Sequence, residues 1–250
     1  MRSALDNPAP FFTNPARDDS GAFAVDVLSG DALTANVLSV FHRIPAEILT
    51  EGVTWYRRES AEIAAQAAEI AAGFSVALAD ARRALVYAVA VVSPKTTWEQ
   101  NVPLGVAVVS AVLRSAPLDG IGATGRDKAA EIAGAVFAGK TDAEIRAGFF
   151  ATSPKTWAFL TCLVNPAHPD AVCIDGHAYN LATFVVQPIT KTPTLTARGR
   201  YAKLANAYRR AASAVGLLPL EMQAATWHAW RASLKGRGEN RRAVGFTSPE

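Results

Sequence analysis

Two residues carry the side chains best suited to chemistry. Lys155 lies in Ala151-Thr152-Ser153-Pro154-Lys155-Thr156, and Asp175 lies twenty positions later in Val172-Cys173-Ile174-Asp175-Gly176-His177-Ala178. A lysine amine is a nucleophile when neutral, a state favoured by burial or by neighbouring cations. The first turn of a helix is an electrostatically poor place for a cation, so a lysine directly after Pro154 favours function over a merely solvated role. A carboxylate beside a reacting carbon stabilises developing positive charge and can orient or deprotonate a nucleophile. The plain alternatives stay open at this point: Asp175 as an ordinary helix cap and Lys155 as a solvated residue.

The elements that must position these groups read as helices. Apolar spacing predicts a first helix over 31–43, capped by Asp31 and interrupted by Pro45, and a long one over 46–73 in which Trp55, Ile63, Ala67 and Ile70 alternate with Arg57, Glu59 and Glu69. The run 78–92 is apolar on all sides in its second half, as expected of a buried central helix. Further helices are predicted over 98–113, with Pro103 in its early turns, and over 127–137. Another follows Thr141, where Glu144 completes a capping box. Others cover 154–164, 175–185, 201–215 and 219–234. Residues 1–30 read as an irregular arm and 235–250 as a basic, flexible tail. No strand alternation, internal repeat or glycine-rich phosphate loop is present, so the fold class is all-α.

Three segments taken together resemble one family. They are Val91-Val92-Ser93-Pro94-Lys95-Thr96-Thr97, the Lys155 segment and the Asp175 segment. In order and spacing they are similar to the endonuclease III-like, helix-hairpin-helix DNA glycosylases. There an apolar helix ends in a Leu-Ser-x-Gln-like turn, a hairpin ends in Gly-x-Lys-Thr, and Val-Asp-Thr-His follows. The resemblance covers residues 78–185. It implies a two-lobed helical fold with a cleft between the lobes, one lobe from 31–77 plus 186–234 and the other from 78–185, the latter holding both Lys155 and Asp175.

The resemblance also implies roles. Asp175 would stabilise the sugar cation formed when an N-glycosidic bond breaks, and Lys155 would be a possible Schiff-base nucleophile. Ser93, Lys95, Trp98, Thr152, Ser153, Thr156, His177, Trp227 and Arg231 would contact DNA or the extruded base. Extrusion is required because sugar and base are inaccessible inside a stacked duplex. The hairpin departs from the family: Ala151, Thr152, Ser153 and Pro154 stand where glycines let backbone N–H groups approach a phosphate, and Pro154 has no N–H. That departure leaves room for a single-stranded substrate. It also leaves room for transfer of amino-acid groups to hydroxymethylated pyrimidines in DNA, or for a relative that binds DNA without catalysis.

Composition bounds the remaining classes. The chain has 250 residues, half of them hydrophobic, and a net charge of +3, with a pI near 9.0. A charge this small identifies no partner by itself. Arg209, Arg210, Arg231, Lys235, Arg237, Arg241 and Arg242 concentrate positive charge late in the chain. Such a concentration suits salt-dependent phosphate contacts or a solvated basic face. Two cysteines, Cys162 and Cys173, are too few for a disulfide scaffold or a four-thiolate cluster. Cys162, His168, Cys173 and His177 lack zinc spacing. The apolar run 85–92 is too short to cross a bilayer, and the first residues lack the order of a signal peptide. The expectation is a monomeric, cytoplasmic, nucleoid-associated protein that acts on DNA, with no cofactor, no metal and no membrane partner.

Overall fold

The structure, a computed structural model, describes residues 22–94, 96–185 and 187–235. Among these the regular elements are helices, and no strand is formed. In chain order they are α1 (Ala24–Val27), α2 (Gly30–Phe41), α3 (Ala46–Phe74), α4 (Leu78–Val92), α5 (Trp98–Leu113), α6 (Arg126–Phe137), α7 (Asp142–Phe149), α8 (Pro154–Val164), α9 (Gly176–Thr183), α10 (Arg200–Ala214) and α11 (Pro219–Lys235). A short 3₁₀ turn covers Ile189–Lys191. The all-α class is as expected. The chain divides into two compact units, residues 1–56 with 167–250, and residues 57–166. The division falls at 56/57 and 166/167 rather than at 77/78 and 185/186, so Asp175 belongs with the chain ends and Lys155 does not. The physical reason is the packing of α9, which lies against α1, α2, α10 and α11.

In the unit of residues 57–166, α4 is central. Every residue from Ala84 to Val92 is buried, and the helix packs on α5, α6 and α8. Close approach to α5 is made by Gly105, where an added Cβ would lie 2.7 Å from Val89 Cγ2. A short turn joins α7 to α8. Thr141 and Glu144 make the expected capping box, with the Glu144 carboxylate accepting from the Thr141 N–H at 2.8 Å. Asp142 ties the start of α7 to α4, its Oδ1 accepting from Arg83 Nη2 at 2.8 Å and from the Tyr87 hydroxyl at 3.0 Å. Burial, followed by that bond to Asp142, pushes the Tyr87 hydroxyl pKa well above its ordinary value.

In the other unit, Val25, Leu33, Val37, Ile174, Tyr179 and Leu204 belong to one buried cluster. Two local readings of the sequence differ from the structure. The arm is already helical at α1, and α2 is capped by Ser29, whose side chain accepts from the Ala32 N–H at 3.0 Å. Asp31 lies within α2 and pairs with Arg210 instead, at 2.6 Å. The segment 1–21 and the tail from 236 lie outside the described residues. The α1 residue Asp26 accepts two bonds from Arg200, at 2.8 and 2.6 Å, and this partner lowers its carboxyl pKa.

Glu59 was expected on the polar side of its helix, but it is only 2% exposed. It shares the buried face of α3 with Tyr56 and Ile63, its neighbours three residues before and four after. Arg58 donates to its Oε1 at 2.9 and 2.7 Å. Burial outweighs that bond, and the Glu59 pKa is raised.

Two outcomes follow from this packing. At Gly52 an added Cβ would lie 2.3 Å from Ala225 Cα, and backbone cannot yield cheaply. Gly52→Ala is therefore expected to lower stability by about 1–3 kcal/mol, against the gain that alanine normally brings to a helix; thermal unfolding reads the sign. For Glu59, a raised folded pKa means that the native state holds the proton more tightly than the unfolded chain. Its contribution is favourable at low pH and is lost as pH rises through the folded value. Glu59→Gln should accordingly raise the melting temperature at pH 7, and the gain should shrink as pH falls toward about 4.

Candidate functional site

From Ala171 to Thr183 every residue is buried except Asp175, which is partly exposed. The carboxylate stands at the N-terminus of α9, with its Oδ1 accepting from the Ala178 N–H at 2.8 Å. Gly176 follows, in close contact with the 3₁₀ turn: an added Cβ would lie 2.6 Å from Ile189 Cγ2, so that side chain would have to shift. His177 is 5% exposed, and its Nδ1 accepts from the Trp230 indole N–H at 2.9 Å. That nitrogen is accordingly occupied within the protein rather than turned to a ligand.

The segment leading to Asp175 is held by side chains from several directions. His168 Nδ1 accepts from the N–H groups of Asp170 and Ala171, at 3.1 and 3.0 Å. Arg209 donates to Asp170 O at 2.9 Å. The Tyr201 hydroxyl contacts both Val172 and Ile174. The Tyr208 hydroxyl donates to Ala178 O at 3.3 Å, and burial pushes its pKa up. None of these tyrosine contacts was legible in advance, because both rings follow the ordinary apolar spacing of α10.

Trp227 and Arg231, also expected at the site, lie one turn apart on α11. The Arg231 guanidinium sits 4.7 Å over the Trp227 ring, and Trp55 of α3 lies 6.3 Å from that ring in the same unit. All three are partly exposed. They form an amphipathic patch of aromatic face and cation. Trp55 was missed because its spacing on α3 reads as core.

In the unit of residues 57–166, Lys155 is exposed on the first turn of α8. Thr152 is exposed in the turn between α7 and α8, while Ser153 and Thr156 are partly exposed. The Ser153 side chain makes no cap bond. The turn takes no positive φ between Phe150 and Pro154, so it uses no conformation that would require glycine. Its base is aromatic. Phe150 packs against Tyr87 and Trp157 at 6.0 and 5.7 Å between ring centroids. From α6, Lys128 donates to Phe149 O at 2.6 Å and lies 4.9 Å over the Phe150 ring. Arg146 lies over Trp157 at 4.9 Å. Ser93 ends α4, and Trp98 donates to Glu62 at 3.3 Å, an acidic neighbour that opposes phosphate at that ring. Lys95 lies outside the described residues, as do Arg237, Arg241 and Arg242.

Thus Asp175, His177, Trp227 and Arg231 fall in one unit, whereas Ser93, Trp98, Thr152, Ser153, Lys155 and Thr156 fall in the other. Among the described residues no group of three or more His, Cys, Asp or Glu is arranged to hold a metal ion. Among the same residues no helix is long and apolar enough to cross a membrane.

Residues 21–234 match the model of a family of unknown function, DUF7178. No curated protein and no solved structure matches the chain.

The cap and any chemical role of Asp175 separate by substitution. Asp175→Ala removes the acceptor for Ala178 and should cost about 1 kcal/mol of stability. Asp175→Asn keeps an acceptor oxygen without the charge and should remain within about 0.5 kcal/mol of the parent. Denaturant unfolding of the two variants checks the difference.

Proposed function

We propose that this chain, which belongs to the DUF7178 family, acts on a base in DNA and cleaves its N-glycosidic bond, with Asp175 as the working carboxylate. The observation that carries the reading is the isolation of Asp175. It is the one partly exposed residue in the stretch from Ala171 to Thr183. One of its oxygens is committed to α9, and the backbone before and after it is fixed by hydrogen bonds. A fixed anion that water and substrate can reach suits a reaction in which positive charge develops on a sugar. In the hydrolytic step the C1′–N bond breaks and the base leaves with the bonding electrons. Water adds to C1′, and Asp175 orients it and takes its proton. The Trp227–Arg231 patch suits stacking and phosphate contact.

A second reading, transfer of an amino-acid group to a hydroxymethylated pyrimidine in DNA, is favoured by one feature. Pro154 opens α8 and the turn is free of positive φ. The glycine-based phosphate clamp of the family that the sequence resembles is therefore replaced.

The test is a panel of duplex and single-stranded oligonucleotides bearing damaged, mismatched or modified bases, treated with protein and then with hot alkali. Strand breaks at one base are expected. Asp175→Asn should slow them by about 100- to 1,000-fold. If no base is released while nucleosides from treated hydroxymethylated DNA gain mass, the second reading replaces the first.

A further inference from the structure

We infer that the Tyr201 hydroxyl is the group that positions the Asp175 carboxylate, an inference that rests on the reading of Asp175 as the working acid. The hydroxyl donates to Val172 O at 3.0 Å and accepts from the Ile174 N–H at 3.2 Å. One hydroxyl has one proton and two lone pairs, so a single oxygen satisfies both groups. In an extended segment the carbonyl of residue i and the N–H of residue i+2 point to the same side. Tyr201 therefore takes the place of a neighbouring strand along the edge that leads into Asp175. The N–H it grips at Ile174 belongs to the Cys173–Ile174 peptide, so the chain is anchored one peptide before Asp175 and the direction in which the carboxylate leaves is constrained there.

Tyr208 acts from the other side. It lies seven residues further along α10, about two turns, and so on the same face. Its hydroxyl donates to Ala178 O, on the residue whose N–H the carboxylate caps. One face of α10 thus holds the chain on both sides of Asp175. The Tyr201 ring is packed against the hydrophobic cluster of this unit, a task that phenylalanine would perform equally. The hydroxyl is what packing does not explain. Tyr201 touches no substrate in this scheme; it acts through Asp175.

Tyr201→Phe in the full chain tests the inference. Amide hydrogen exchange should accelerate by about 10-fold or more at Ile174, which loses its acceptor, and at Ala178, whose cap loosens. The amides of Leu204 and Tyr208 should exchange as in the parent. Base release should fall by about 10-fold in rate constant, with KM for DNA changed less than about twofold. A merely structural role would instead accelerate exchange across the whole unit. Parental protection at Ala178 together with a parental rate overturns the inference and leaves Asp175 as the working acid. If the parent protein releases no base, the proposed reaction fails, and exchange at Ala178 alone decides whether Tyr201 positions Asp175. Should the variant not fold, the hydroxyl proton of Tyr201 in the parent is followed by NMR. A slowly exchanging resonance is expected, and one in fast exchange with water overturns the inference.

Discussion

A short helix buried on every side must find partners for its backbone ends without help from water. This constraint on α9 shapes the whole unit around it. An eight-residue helix has few internal bonds, and the groups left over at each end are costly if unpaired. Asp175 closes the N-terminal end through Ala178. At the other end Asn36 donates to Ala182 O, and the N–H of Val185 reaches Asn180 O across the left-handed Phe184. Asn180 in turn donates to Gln187 O. The glycine at 176, the reversal at Phe184 and the polar residues that α2 and α10 direct inward all answer the same requirement. The proposed acid is therefore also a structural cap, held in place by the same bonds that close the helix end.

Much of the positive charge late in the chain has an internal use. Arg200 is held by Asp26, Lys203 donates to Val25 O, Arg209 to Asp170 O and Arg210 to Asp31. These contacts order α1, α2 and the segment before α9 around α10. A basic composition here reports folding as much as any partner. Arg231 lies over the Trp227 ring, and Arg200 over that of Phe23. The end of α7 shows the same economy, since Lys128 anchors it and the Phe150 ring together.

The helices were legible because each carries a long apolar period or an explicit cap. The all-apolar course of Leu85 to Val92 marked a central helix, and Thr141 with Glu144 marked the start of α7. Short elements were not legible. α1 has only four residues, too few for a period to show. The extended segment before Asp175 is fixed by hydroxyls from a helix some thirty residues later, and the spacing of Tyr201 and Tyr208 is the spacing of any core stripe. Glu59 was misread for the converse reason: charge argued for the surface, while its register on α3 put it inside. The domain boundary was misplaced because sequence order suggested that Asp175 stays with the hairpin, whereas the partners of α9 come from both ends of the chain.

The contact between α9 and α11 fixes a tautomer. Because the indole of Trp230 can only donate, its bond to His177 Nδ1 requires that nitrogen to be bare, and the imidazole proton must reside on Nε2. A second proton on the ring would set two donors face to face inside a closed interior. Imidazole chemistry thus makes the join between these two helices a neutral-ring joint, with the tautomer fixed by the indole that faces it.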